Sequence, residues 1–111
     1  MERRHHLRVE TPILLEFPNP STKTMERSFT QDVSEAGLRF PTPVRFQVGQ
    51  DVPPALQVPS QSTIRITGTV VWVREVSRLG PTQYDVGIRF QWIEDPDRQR
   101  LTRHLREFVR R

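Results

Sequence analysis

Residues 64–73, Ile64-Arg65-Ile66-Thr67-Gly68-Thr69-Val70-Val71-Trp72-Val73, decide the fold class. Ile64, Ile66, Val70 and Trp72 alternate with Arg65, Thr67 and Thr69, the period of a strand with one face in a core and the other in water. Gly68 interrupts the run and predicts a bulge or a barrel corner. After the turn material Ser77 to Thr82, with its Gly80-Pro81 step, Tyr84, Val86, Ile88 and Phe90 alternate with Asp85, Gly87 and Arg89. The two runs therefore form an antiparallel hairpin, with Trp72, Tyr84 and Phe90 assigned to the core.

Outward from this hairpin, the N-terminal side reads as short strands. Thr11 to Phe17 is a first strand and the Pro-, Asn- and Ser-rich segment after it is a turn. Arg27 to Phe40 holds a short strand, a turn at Ser34 to Gly37, and a second strand, Leu38-Arg39-Phe40, closed by Pro41. Pro41, Pro43, Pro53, Pro54 and Pro59 exclude helix up to Ser62 and permit only short edge strands. The C-terminal side changes period. Asp95 caps a helix that begins at Pro96, and Leu101, Leu105, Phe108 and Val109 form one apolar stripe at i, i+4, i+7 and i+8. Arg98, Arg100, Arg103 and Arg106 lie on its other face, with Arg110 and Arg111 in the last turn, where the helix dipole favours cations. The reading is mostly β: an antiparallel sheet or small barrel of about six strands followed by one helix.

The chain has 111 residues, enough for one compact domain. It is 34% hydrophobic and 27% charged, with a mean hydropathy of −0.61, which places it among soluble chains with a modest core. There is no cysteine, so disulfides, thiolate metal sites and thiol catalysis are excluded, which is consistent with a reducing compartment; a cytoplasmic location is expected. The N-terminus has charge but no apolar stretch, and the longest apolar run is Val70 to Val73. Neither a signal peptide nor a membrane span is expected. Lys+Arg 17 against Asp+Glu 13 gives a net charge of +4, and every cation but Lys23 is arginine. Arginine is suited to bidentate recognition of phosphates and guanine edges, so an anionic ligand is favoured over a neutral one.

Catalysis is not expected. Ser34 and the histidines His5, His6 and His104 have no nucleophile context around them. Glu94, Asp95 and Asp97 are explained by the helix start. No Gly-rich phosphate loop is present, and His5-His6, flanked by arginines, reads as solvated rather than as a metal site.

Two local patterns remain. Arg4 and Arg8 form R-x-x-x-R just before the first strand, with Arg3 immediately ahead of them. Two guanidinium forks at this spacing can approach one small anion from two sides. The second pattern is D-x-S-x-x-G, with Asp32 and Ser34 on the same side of an extended chain. Gly37 is expected to supply a turn with positive φ and a close backbone approach. In this order, followed by Val70-Val71-Trp72-Val73-Arg74, Val86-Gly87-Ile88-Arg89-Phe90 and a terminal helix, the patterns resemble the signature of PilZ domains, bacterial receptors for cyclic di-GMP. The resemblance covers residues 2 to 111.

It implies a six-stranded antiparallel β-barrel with a C-terminal α-helix, a stand-alone single domain with an arginine-rich segment at residues 1–10, a barrel at 11–93 and a helix at 95–111. It also implies cyclic di-GMP on the outer surface of the barrel. Arg4 and Arg8 would contact guanine edges and phosphates, Asp32 and Ser34 would hydrogen-bond the ligand, and Gly37 would shape the turn. Arg3 implies two mutually intercalated nucleotides per chain, since two stacked dianions require an additional cation. No cofactor or metal is implied, and the output is expected through a separate effector protein of flagellar, pilus or exopolysaccharide machinery. Two alternatives remain: a PilZ-fold adaptor acting without nucleotide, and a small basic β-barrel that binds RNA or single-stranded DNA.

Overall fold

The computed structural model describes residues 7–59, 62–76 and 79–109. Eight strands precede one helix: β1 (Leu14–Pro18), β2 (Met25–Phe29), β3 (Asp32–Val33), β4 (Gly37–Thr42), β5 (Asp51–Val52), β6 (Ala55–Gln57), β7 (Ile64–Val76), β8 (Gln83–Ile93) and α1 (Asp95–Val109). They form one antiparallel sheet in the order β2-β1-β6-β7-β8-β4-β3, with β5 also paired to β7. The fold class is as expected, but there are more strands than six because β3, β5 and β6 are only two or three residues long. Such pieces leave too little alternation to be read as strands.

The sheet curls until its ends approach. Across the seam between β2 and β4, Ser28 Oγ donates to the Pro41 carbonyl at 2.5 Å, and no ladder joins the two strands among the described residues. Pro41 has no amide to offer there. Its ring nitrogen faces the seam rather than β8, so Pro41 does not close β4 as expected: the strand continues to Thr42, with Pro41 opposite Asp85. A second correction concerns β6, which is not an edge strand. Ala55, Leu56 and Gln57 sit between Pro54 and Pro59 with their amides intact, and pair with both β1 and β7. The first strand begins at Leu14 rather than Thr11, since Pro12 lacks a donor. Ahead of it, Ile13 N donates to Thr30 Oγ1 at 2.8 Å and Thr30 Oγ1 donates to the Thr11 carbonyl at 2.6 Å.

Inside the curl, Phe17, Phe40 and Phe46 meet with ring centroids 5.1 to 6.1 Å apart, in tilted and edge-on arrangements that suit the quadrupoles of the rings. Leu15, Leu56, Ile64, Val70, Val86 and Ile88 fill the space around them. The helix closes the core through Leu101 and Leu105, both buried. Phe108 packs partly against the core, whereas Val109 is exposed and falls outside the expected stripe. Arg98 N donates to the Glu94 carbonyl at 2.9 Å, so Asp95 is already the first helical residue rather than the cap.

The hairpin of β7 and β8 has two register shifts. One falls at Thr67/Gly68, the place that Gly68 marks, but its additional residue is Gln91 on the facing strand β8. The other falls between Val70 and Trp72, where Val71 is the additional residue. Beyond it the alternation inverts: Val73 turns toward the core and Trp72 turns out. The assignment of Trp72 to the core is therefore corrected, while Tyr84 and Phe90 do pack against it.

Gly37 also departs from expectation. It does not have a positive φ, which the described glycines reserve for Gly49 and Gly80. It is required by close approach, since a Cβ there would lie 2.4 Å from the Ile88 carbonyl oxygen. Gly37→Ala and Gly37→Asn are thus both expected to cost about 1–3 kcal/mol through overpacking, measured by urea denaturation. If Asn, which tolerates left-handed backbone, proves neutral while Ala does not, the cause is φ and not contact.

Candidate functional site

Val9 and Val33 exchange two backbone hydrogen bonds, Val9 N to the Val33 carbonyl at 2.8 Å and Val33 N to the Val9 carbonyl at 2.9 Å. This isolated bridge pins the segment carrying Arg8 beside β3. Asp32, the first residue of β3, is mostly buried and receives two guanidinium groups. Arg8 donates to Oδ1, and Arg39 Nε lies 3.2 Å from Oδ2 as an ion pair without hydrogen-bond alignment. Arg39 comes from β4, directly opposite Asp32.

The registers continue this row across the sheet. Asp32 pairs with Arg39, Arg39 with Gly87 and Gly87 with Trp72, so four outward positions line up across β3, β4, β8 and β7. The missing Cβ at Gly87 leaves room for the indole: a Cβ there would lie 2.3 Å from Trp72 Cε2 and Nε1. The indole therefore lies against the strand, 39% exposed. In the next row Gly37 pairs with Arg89, an exposed cation with no ion pair or hydrogen bond among the described residues. Arg8, Gly37, Arg39, Trp72, Gly87 and Arg89 line an open groove of about 190 Å3. Three guanidinium groups, one carboxylate and an open aromatic face are brought together, a combination suited to a planar heterocycle that carries phosphate.

Of the residues nominated from sequence, Arg8, Asp32 and Gly37 are at or beside this groove. Ser34 is 1% exposed. Its hydroxyl accepts from the amides of Ala36 at 3.1 Å and Gly37 at 3.2 Å, so in this state it holds the turn that leads into β4. Arg3 and Arg4 lie outside the described residues, as do His5 and His6. Sequence reasoning missed Arg39, Trp72 and Arg89. The D-x-S-x-x-G pattern stops two residues short of Arg39, and the bulge that turns Trp72 outward leaves no mark in the alternation. No group of three or more potential metal ligands occurs among the described residues.

Removing the space above Gly87 should displace the indole while leaving the core intact. In a Trp92→Phe background, Gly87→Ala is expected to red-shift and broaden the Trp72 emission with a change in stability below about 1 kcal/mol. Unchanged emission would mean that Gly87 does not set the position of Trp72.

The family model described as PilZ domain matches residues 2–107. No curated protein sequence matches the chain. Among solved structures, the inhibitor of motility MotI/DgrA of Bacillus subtilis superposes with a TM-score of 0.78 at 14% identity, covering 100% of this chain and 54% of that one. The PilZ domain of YcgR from Escherichia coli with c-di-GMP gives 0.76 at 15% identity, with 98% and 93% coverage. The MrkH–c-di-GMP complex of K. pneumonia gives 0.78 at 14% identity, with 98% and 53% coverage. The chain thus spans about half the length of MotI and MrkH and nearly all of the isolated YcgR domain.

Proposed function

Because the chain belongs to the PilZ domain family, we propose that its groove is a receptor site for cyclic di-GMP and that the protein signals, without catalysis, to a separate effector. The observation that carries this reading is the row Asp32, Arg39, Gly87, Trp72, with Arg8 reaching over it. Trp72 offers a stacking surface for one guanine. Arg8 and Arg39 supply planar donor forks for phosphate oxygens or guanine O6 and N7, and Asp32 supplies an acceptor for the guanine N1 and N2 hydrogens. Arg4, four residues before Arg8 in the sequence, is assigned to the same ligand on the R-x-x-x-R pattern, and Gly37 keeps the floor of the groove flat. Ser34 contributes by holding the turn and, when its hydroxyl rotates, by meeting the ligand.

Arg8 and Asp32 satisfy one another before ligand arrives, but Arg8 is more than half exposed, and the mostly buried Asp32 keeps Arg39 as a partner when Arg8 leaves. The ligand therefore replaces this pair at little cost, and the movement of the N-terminal segment is the signal. Two stacked nucleotides carry four negative charges, and Arg3 with Arg89 supplies cations beyond the Arg4–Arg8 pair, which supports two molecules per chain. A cytoplasmic location is part of this reading because that is where a receptor of this kind meets a second messenger; no described helix is long and apolar enough to cross a membrane. Flagellar, pilus or exopolysaccharide machinery is the proposed destination of the signal.

The exposure of Trp72 gives an oligonucleotide a stacking position too. Asp32 beside the groove, held between Arg8 and Arg39, opposes that reading, because a carboxylate repels a tracked phosphate backbone and accepts well from a guanine edge. The nucleotide-free adaptor leaves the row of groove residues without a role.

Titration calorimetry with cyclic di-GMP and with a short oligothymidylate separates these readings. Wild type is expected to bind two cyclic di-GMP molecules per chain, and Arg8→Ala to lose roughly ten- to a hundredfold in affinity, the value of about 1.5–3 kcal/mol for a charge-assisted contact. No cyclic di-GMP binding by folded wild type sinks the proposal. Stoichiometry is checked with Arg3→Leu, for which a fall from two toward one is expected; a wild-type ratio of one removes the second nucleotide and the role of Arg3.

A further inference from the structure

Leu101 and Leu105 face the core, which fixes the rotation of α1 and directs Arg98, Gln99, Thr102, Arg103, Arg106 and Glu107 to one outer face. The helix is also braced against the turn that follows β3. Thr102 Oγ1 donates to Glu35 Oε2 at 2.8 Å, and Arg98 Nη1 donates to the Glu35 carbonyl at 3.4 Å. The face is therefore presented in a set orientation, which reduces the ordering cost of any partner that docks on it.

Its charge is unbalanced. Arg100, on the neighbouring side, is neutralised by Asp97, but Arg103 and Arg106 make no ion pair or hydrogen bond among the described residues. Glu107 stands four residues from Arg103, at pairing distance in sequence, and still forms no ion pair with it. Helix electrostatics accounts for Arg106 near the C-terminus. It does not account for Arg98 in the first turn, where the dipole disfavours a cation, or for like charges at i and i+3 in Arg103 and Arg106. Three arginines thus fall within nine residues, about 12 Å along the helix, with Gln99 and Thr102 between them, Thr102 bonded to the Glu35 carboxylate, so that three cations stand against the two carboxylates of Glu35 and Glu107.

We propose that this outer face of α1 is a docking surface for an acidic segment of a partner protein. Guanidinium forks on successive turns match carboxylates presented at similar spacing, each pair being planar and bidentate. Gln99 and the exposed stems of the arginines accommodate the partner's backbone and apolar atoms. A single-stranded nucleic acid is the poorer occupant, because the face has no aromatic side chain for a base to stack on. A lipid surface is poorer still, since the apolar stripe that would insert is already buried in the core. The inference does not depend on nucleotide binding in the groove, which lies on other elements.

The test uses the full chain and a fluorescein-labelled peptide of alternating Glu and Ala, read by fluorescence anisotropy at ionic strength near 0.15 M. Wild type is expected to bind, R103E/R106E to bind at least about tenfold more weakly, and K23E/R45E, with the same change of charge elsewhere, to bind like wild type. R103Q/R106Q replaces the reversal variant if circular dichroism finds the latter unfolded. Absence of binding by wild type overturns the proposal, as does an equal loss in K23E/R45E, which would mark general attraction to a basic protein. Tighter binding of oligothymidylate, or of phosphatidylcholine vesicles containing phosphatidylserine, through Arg103 and Arg106 would overturn it in favour of a different occupant.

Discussion

Strand β7 has one residue more than β8 can match between Val70 and Trp72, and the position of the groove follows from that surplus. A bulge increases local twist and reverses which side chains face the core. Here it moves the indole from the interior to the surface and brings Val73 inward in its place. Had the alternation continued unbroken, Trp72 would have competed with the phenylalanines for the core and the outer row would have ended at Gly87. The glycine opposite the indole is the complement of the bulge, because any side chain there would lift the ring off the strand.

Around this row, charge is arranged so that the carboxylate of Asp32 is satisfied within the chain. Asp32 is mostly buried and cannot be left alone. Arg39 supports it from the facing strand while Arg8 reaches it from the N-terminal segment. The two arginines differ in mobility. Arg39 sits on a strand paired to β8 along its length, whereas Arg8 precedes a single bridge between Val9 and Val33. Of the two pairs the one to Arg8 is the less constrained, and under the proposed function it is the one that opens, with Arg39 left to hold the carboxylate. The turn at Ser34 to Gly37 links this arrangement to the helix, since its residue Glu35 takes hydrogen bonds from α1 while Ser34 secures the amides below.

Much of this was legible in the chain itself. Period-two patterning over residues 64–73 and 84–90, and the change to helical period after Asp95, specify strands and helix because burial of one face is a local property of the sequence. The R-x-x-x-R and D-x-S-x-x-G patterns nominate Arg8 and Asp32, which the structure joins. Gly68 marks the place of the first register shift because glycine is unusual in a strand, although the additional residue there, Gln91, belongs to β8. Val71 announces nothing, being as good a strand residue as its neighbours.

What only the tertiary structure decided is pairing. Arg39 lies seven residues from Asp32, Trp72 and Gly87 lie much further on, and the cross-strand registers alone place all four in one row. The reason for Gly37 likewise sits on another strand, in the Ile88 carbonyl rather than in its own φ. Sequence determines which face of each segment seeks the core, through side-chain chemistry at fixed period. Register is set by how bulges, prolines and glycines fit between strands distant in the chain, and that fit is a property of neighbours the local sequence does not name.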